Sequence, residues 1–197
     1  FAETKGVDIG EIPRMAYSEA LSRFGIDRPD IRFGLELCEV GDIVSDSDFK
    51  VFTRVLDGGG YVKAINAKGG ARLSRAEIDK IAAVGSTYGA KGMAWIKIQP
   101  DAWQGPIAKF FSDDVKARLT QRCDLEAGDL LCFIADSPKI THDALAHIRL
   151  ALGDKLELIP DGDLAFVWIT DFPLFEAEPE DGRYFSMHHP FTSPNPD

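Results

Sequence analysis

The chain has 197 residues, 45% of them hydrophobic and 27% charged, which fits one large globular domain or a domain plus part of another. Its formal net charge of −10 argues against a general nucleic-acid-binding surface, which would be basic. No apolar run approaches the ~20 residues of a membrane-spanning helix, and the polar N-terminus is unlike a signal peptide. Three widely spaced cysteines suggest neither a disulfide framework nor a zinc site. We therefore expect a cytoplasmic protein without membrane partners.

The N-terminal part of the chain predicts one helix and one strand. Tyr17, Ala20, Leu21 and Phe24 fall at i, i+3, i+4 and i+7, which indicates an amphipathic helix over residues 16–24. Glycine at position 25 is well placed to end this helix. Residues 31–40 then resemble a short strand. Because the chain starts at Phe and stops within a proline-rich turn, we expect it to be a piece of a longer protein.

From about residue 49 the pattern alternates between strands and helices. Ser74 and Glu77 have the spacing of a capping box, which predicts a helix to about residue 88, and Ser112 is placed to cap another helix to residue 122. The order favours an α+β fold, a two-layer domain with a mostly antiparallel sheet and helices on one face. The other predicted elements are strands at 49–55, 61–66, 93–98, 107–111 and 129–135, a glycine turn at 58–60, and a helix at 143–152 closed by Gly153.

The C-terminal stretch is the most site-like part of the sequence. It predicts an apolar strand at 164–171, an acidic turn at 176–182 and a neighbouring strand at 183–191. These strands carry Asp171, Glu176, His188 and His189 among bulky apolar residues, and a buried ionisable group is costly unless it is paired or used. We expect no metal site, because adjacent strand residues point to opposite faces and cannot easily share one ion.

Two of these residues leave alternatives open. Asp171 shares a predicted strand face with Val167 and Ile169, so it is either a partly buried carboxylate or the cap of the turn at Phe172. Of the two histidines, one is expected to be exposed and the other to be a hydrogen-bonded core residue. A histidine–carboxylate metallohydrolase is a minor alternative that rests on these side chains alone.

A family resemblance changes this interpretation. The segments TKGVDIGEIPRMAYSEALSRFG, GAKGMAWIKI, GPIAKFF, FVWITDFPLFE and EDGRYFSMHHPFTSP occur in an order that closely resembles bacterial-type aspartyl-tRNA synthetase. The resemblance implies that a GAD domain over residues 33–160 is inserted into an antiparallel class II catalytic domain. Residues 1–32 would then follow class II motif 2, and residues 161–197 would precede motif 3.

The resemblance also implies an activity and a set of binding residues. The family uses ATP and Mg²⁺ to activate L-aspartate as aspartyl-adenylate and then transfers the aspartyl group to tRNA(Asp), in some members also to tRNA(Asn), as a homodimer. His188, or its neighbour His189, would contact the substrate aspartate, and Asp171 and Phe172 would support the pocket. Since motifs 2 and 3 would lie outside this chain, no catalytic residue is expected within it, and the chain alone is expected to be inactive without bound cofactors. The alternative is a non-catalytic GAD module that serves as a structural insert or binds tRNA or a partner.

Overall fold

A computed structural model describes residues 10–177 and 182–187 of the chain. The helices are α1 (Tyr17–Phe24), α2 (Gly41–Val44), α3 (Lys50–Asp57), α4 (Arg75–Thr87), α5 (Asp113–Cys123) and α6 (Pro138–Lys155), with 3₁₀ turns at Gly70–Arg72 and Ala108–Phe110. The strands are β1 (Arg14–Ala16), β2 (Leu37–Glu39), β3 (Tyr61–Ala67), β4 (Ala94–Ile98), β5 (Trp103–Gln104), β6 (Leu130–Asp136), β7 (Trp168–Thr170), β8 (Phe175–Ala177) and β9 (Tyr184–Ser186). Within the described ranges, no helix has the length and apolar character needed to cross a membrane.

One five-stranded sheet organises the middle of the chain. Its strand order is β2-β3-β6-β4-β5, and every neighbouring pair is antiparallel. The two long central strands, β3 and β6, pair along their whole length, from Tyr61 opposite Asp136 to Ala67 opposite Leu130. The predicted mostly antiparallel α+β sheet is therefore confirmed.

The helices cover both faces of this sheet, whereas the sequence predicted helices on one face. Phe133 of β6 packs with α2, α3 and α5 in one apolar core, and its neighbours Cys132 and Ile134 pack with α4 and α6 in a second core. Successive strand side chains point to opposite faces, so two buried faces require a nearly continuous apolar strand. The sequence LLCFIA of β6 meets that requirement.

Several predicted elements are confirmed. Helix α1 ends at Gly25, which adopts the left-handed conformation with φ of 74°. The capping box of α4 is present, since Ser74 accepts from the backbone of Glu77 and the Glu77 side chain accepts from the backbone of Ser74. The glycine turn precedes β3, and Ser112 caps α5 as predicted.

Two predicted strands are wrong. Residues 49–55 lie mostly in helix α3, because the buried Phe52 packs inward with Phe49 and Leu56 at helical spacing while Val51 is 52% exposed. Residues 107–111 include a 3₁₀ turn, since Ile107, Ala108 and Phe111 are all buried, which an alternating strand would not allow.

Other boundaries shift. Helix α6 begins five residues earlier than predicted, at Pro138, because proline suits the first helical turn where its missing N–H is not needed. Gly153 lies inside α6 rather than ending it, and an added Cβ there would stand 2.7 Å from Phe33. Of the predicted strand at 31–40, only Leu37–Glu39 pairs.

The two ends of the described chain meet in a small separate pairing. β1 runs parallel to β7, with Met15 opposite Ile169, and α1 packs beside them through Ala20 and Phe24. β8 and β9 form an antiparallel hairpin, so Glu176 lies in a strand and not in the predicted turn. The strand predicted at 183–191 is described only as Tyr184–Ser186, because residues 178–181 and 188–197 lie outside the described ranges.

Candidate functional site

Asp171 lies at the end of β7, where the chain turns. It is exposed and has a φ of 57°, a left-handed conformation that aspartate tolerates better than most residues. The hydroxyl of Thr170 donates to its Oδ2 at 2.9 Å. In this chain Asp171 is therefore an exposed carboxylate at a turn, and its role in the site stays a prediction.

Phe172 contacts the first residue of α1. Its ring lies 5.2 Å from the ring of Tyr17, at an interplanar angle of 47°. The parallel pairing of β1 with β7 brings these two residues together although they are far apart in sequence. Sequence reasoning missed Tyr17 as part of this site, since neither periodicity nor a local motif connects it to Phe172.

The surroundings of Tyr17 are acidic. Burial, followed by the negative charges of Asp27, Glu176 and Asp143, raises the pKa of the Tyr17 hydroxyl above its usual value. We call the three carboxylates that act on Tyr17, namely Asp27, Asp143 and Glu176, the acidic wall; Oδ2 of Asp143 also lies 3.6 Å from Nζ of Lys139. A wall of this charge repels anions, so an anionic ligand held beside it needs a positive or hydrogen-bond-donating group from another part of the protein.

A backbone hydrogen bond continues the β8–β9 pairing at the open end of the hairpin, close to Phe172. The backbone N–H of Met187 donates to the carbonyl of Leu174 at 3.1 Å. His188 and His189, the predicted aspartate contacts, follow Met187 and lie outside the described residues, so their role stays a prediction. In residues 10–177 and 182–187, no group of three or more His, Cys, Asp or Glu side chains could hold a metal ion.

Two buried cations join α1 and the segment after it to the five-stranded sheet and α6. Lys63 of β3 is 1% exposed, and its Nζ lies 2.8 Å from Oε1 of Glu39 and donates to the carbonyl of Ser22 in α1 at 3.1 Å. Neither Lys63 nor Glu39 was singled out from the sequence. A lysine within the strand sequence YVKAINA was a signal, because charged residues are almost never buried without a partner.

Arg149 of α6 is the second buried cation and is 2% exposed. Its guanidinium donates to the carbonyls of Phe33 at 2.6 Å and Gly34 at 2.7 Å, and it lies 4.0 Å from the ring centroid of Phe33 and 4.8 Å from that of Phe24. Burial lowers the pKa of Arg149 to about 10, and the charges of Asp30 and Glu36 offset part of that effect.

Comparison with models of protein families identifies one domain in this chain. Residues 52–145 match the GAD domain family, and this range includes most of the five-stranded sheet and the larger part of the helices that cover it. The chain therefore contains a GAD domain. The match lies inside the predicted limits of 33–160, and those limits themselves stay a prediction.

The similarity extends beyond this domain to nearly the whole chain. It is 53% identical over 182 residues to the aspartate–tRNA(Asp/Asn) ligase of Desulfatibacillum aliphaticivorans, covering 92% of this chain and 30% of that protein. It is 53% identical over 192 residues to the aspartate–tRNA ligase of Geobacillus kaustophilus and 48% identical over 194 residues to that of Bacillus licheniformis, covering 96% and 98% of this chain. These alignments cover 32% and 33% of the two relatives. Nearly the whole chain is therefore similar to aspartate–tRNA ligases, and it spans about a third of the length of the curated relatives it matches.

Proposed function

We propose that the whole protein containing this chain is a class II aspartate–tRNA ligase, which activates L-aspartate with ATP and transfers it to tRNA. The observation that carries the proposal is that an alignment of 50% overall identity covers 96% of the chain and so extends into both flanks, beyond the GAD match at residues 52–145. Because the GAD match ends at residue 145, a free-standing GAD module would have no use for the pairing of β1 with β7 or for the hairpin that follows.

The residue roles follow from the charge of the site. Substrate aspartate carries a side-chain carboxylate, and the acidic wall beside Phe172 would repel it. A donor or cation is therefore needed for binding, and it also allows discrimination against neutral asparagine. We assign this contact to His188, with His189 as the alternative. Asp171 and Phe172 support the pocket, and Tyr17 fixes the position of the Phe172 ring.

In the class II family that this chain resembles, the ATP-binding segments are motif 2, which would precede residue 1, and motif 3, which would follow residue 197. We therefore propose that ATP and magnesium are bound by parts of the whole protein outside this chain, and that the 197-residue chain alone does not form aspartyl-adenylate. The relatives are named as ligases for tRNA(Asp) or for tRNA(Asp/Asn), so tRNA(Asp) is the proposed partner and tRNA(Asn) a possible second one. A cytoplasmic homodimer completes the proposal.

The test is ATP–pyrophosphate exchange in the full-length enzyme carrying His188→Ala, His189→Ala or, as a control at an exposed position of α4, Lys80→Ala. Loss of one polar contact in a desolvated pocket should cost about 1.5–3 kcal/mol, so we expect kcat/KM for aspartate to fall by about one to two decades in His188→Ala. The KM for ATP should change little. Unchanged aspartate kinetics in both His188→Ala and His189→Ala would contradict the assignment.

A second candidate function is that the GAD domain acts as a non-catalytic module. This candidate is favoured by the two apolar cores of the domain, because helices cover both faces of its sheet. Exchange activity of the purified 197-residue chain, tracking the protein through purification, would contradict the proposed division of the site. Exchange activity of the full-length protein, together with no exchange activity of the 197-residue chain, would support the proposed division of the site.

A further inference from the structure

A cavity opens in the GAD domain, away from Tyr17 and Phe172. It has a volume of about 710 Å³ and lies between α3, the start of β4, the end of β6 and the start of α6. Its walls include Phe52, Ile107 and Phe133, which are buried members of the core on the α3 side of the sheet. This size falls in the range of roughly 300–1,000 Å³ that small-molecule sites occupy.

The polar part of the cavity is positive. Arg54 and Lys91 line it, both are exposed, and neither forms an ion pair with any residue that the structure describes. Among the residues that the structure describes, the exposed Arg14, Arg28 and Arg72 also lack an ion pair, so this property makes Arg54 and Lys91 available to a ligand but does not make them unusual. The arginines with carboxylate partners are Arg23, Arg32, Arg75, Arg118 and Arg122.

The start of α6 adds to the same potential. Ser137 and Pro138 line the cavity, and the Ser137 side chain does not cap the first turn of this 18-residue helix. A helix N-terminus carries a partial positive charge. Asp136 is an acid that also lines the cavity, but strand alternation directs its side chain to the opposite face from Phe133 and Ala135. Its Oδ1 accepts the Ser137 N–H at 2.8 Å, and its buried Oδ2 has no partner among the described residues. The Asp136 charge is therefore turned away from the apolar walls.

We propose that this cavity binds a small organic anion with an apolar or aromatic body and one carboxylate, phosphate or sulfonate group. The body packs on the accessible apolar side chains of the lining, Val51, Val55 and Met93, above the buried Phe52 and Phe133, and the anionic group faces Arg54 and Lys91. An apolar ligand without the charge would leave the two cations unused, and an inorganic anion would leave the apolar walls unfilled. The proposal does not depend on ligase activity, since all of these residues belong to the GAD domain or its edge.

The probe is 1-anilinonaphthalene-8-sulfonate, titrated into the ¹⁵N-labelled 197-residue chain and followed by amide chemical shifts. The uncharged N-phenyl-1-naphthylamine is the matched probe without the anion. The variants are the double change Arg54→Gln with Lys91→Gln, and Lys80→Gln as a control, because Lys80 is an exposed lysine on the opposite face of the sheet without a described ion pair. A third variant, Ala135→Leu, fills the wall of the cavity.

We expect saturable shifts at the amides of Gly92, Ala94 and Ala135. The double variant loses two exposed charge contacts, so its Kd for the sulfonate should rise about fivefold. Its Kd for the neutral probe should not change, and Lys80→Gln should change neither Kd. Ala135→Leu should weaken both probes.

Three results would overturn the proposal. The first is a set of shifts confined to the exposed apolar residues of β7, β8 and β9, such as Trp168 and Tyr184. The second is an unchanged Kd for the sulfonate in the double variant. The third is equal weakening of both probes in that variant, which would show that Arg54 and Lys91 act on the fold and not on the anion.

Discussion

Replacing Arg149 tests whether a buried cation stabilises the junction between α1 and the GAD domain. Its guanidinium is 2% exposed and is satisfied by the carbonyls of Phe33 and Gly34 and by two aromatic faces, with no carboxylate in direct contact. Because burial lowers the pKa of Arg149 to about 10, below the usual value for arginine, its charge costs stability at neutral pH. That cost disappears only as the pH rises above about 10 towards the usual pKa of arginine, because in this range the unfolded chain binds more protons than the folded one.

The magnitudes distinguish two substitutions. Arg149→Met leaves the Phe33 carbonyl without its donor, a loss of about 1–3 kcal/mol, and removes a cation–π contribution of about 1 kcal/mol. It also removes the burial of the charge, and at about 1.4 kcal/mol per pKa unit this recovers about 3 kcal/mol. The net change in the free energy of unfolding is then near zero, to within about 1 kcal/mol. Arg149→Ala loses the same contacts and leaves a cavity that adds about 2–4 kcal/mol of destabilisation.

The assay is urea unfolding at pH 7, followed by far-ultraviolet circular dichroism, on the parent chain, Arg149→Met, Arg149→Ala and the exposed control Arg72→Ala. We expect the midpoint to fall clearly in Arg149→Ala and little in Arg149→Met or in Arg72→Ala. If Arg149→Met destabilises the protein as much as Arg149→Ala does, the hydrogen bonds and ring contacts outweigh the burial cost and the reasoning is refuted.

Three further predictions concern the GAD domain. Ser74→Ala should lower the free energy of unfolding by about 1 kcal/mol in chemical denaturation, because it removes half of the capping box; no change would contradict this. Gly60→Ala should lower the melting temperature, because its Cβ would stand 2.7 Å from a carbonyl of β6, whereas Gly92→Ala, with no atom within 4 Å, should not; equal melting temperatures would show that the backbone relaxes. Hydrogen bonds from Lys155 and Ser74 lower the pKa of Glu77 to about 2. Its contribution should therefore be present above about pH 4.5 and lost as the pH falls towards 2, and Glu77→Gln should flatten the acid dependence of the urea midpoint over that range.

The sequence predicted those parts of the fold where local chemistry decides the structure. The capping box of α4 and the glycine after α1 depend on contacts within a few residues, so spacing was enough to find them. The prediction for residues 49–55 was wrong because Phe49, Val51 and Val55 fit an alternating pattern, whereas Phe49, Phe52 and Leu56 fit a helical one, and the run is short. Only the packing of Phe52 against the sheet decides between the two.

The second covered face of the sheet was harder to predict. A buried run such as LLCFIA fits a strand with two packed faces, but the same run does not say which helices lie on which face. That assignment depends on contacts between distant elements, such as α5 with α2 on one side and α4 with α6 on the other. Coarse fold class was therefore within reach of the sequence, and layer order was not.

The candidate site, too, was predictable only where its residues are close together in the sequence. Asp171 and Phe172 were found through a motif of contiguous residues, whereas Tyr17 belongs beside them only because β1 pairs with β7. The acidic wall also combines residues from three separated segments, around positions 27, 143 and 176. A pattern read along the chain cannot collect such residues, because nothing in their spacing is local.

The junction between the flanks and the GAD domain is built largely from directed polar contacts. Lys63 reaches the carbonyl of Ser22 in α1, and Arg149 reaches the carbonyls of Phe33 and Gly34 just beyond it. An apolar surface would tolerate sliding, but a buried cation that depends on particular carbonyl oxygens is satisfied in one arrangement only. Since Tyr17 begins the helix that Lys63 holds, the same contacts set the position of the Phe172 ring relative to the sheet. The two buried cations are therefore better explained by orientation of the candidate pocket than by any net gain in stability.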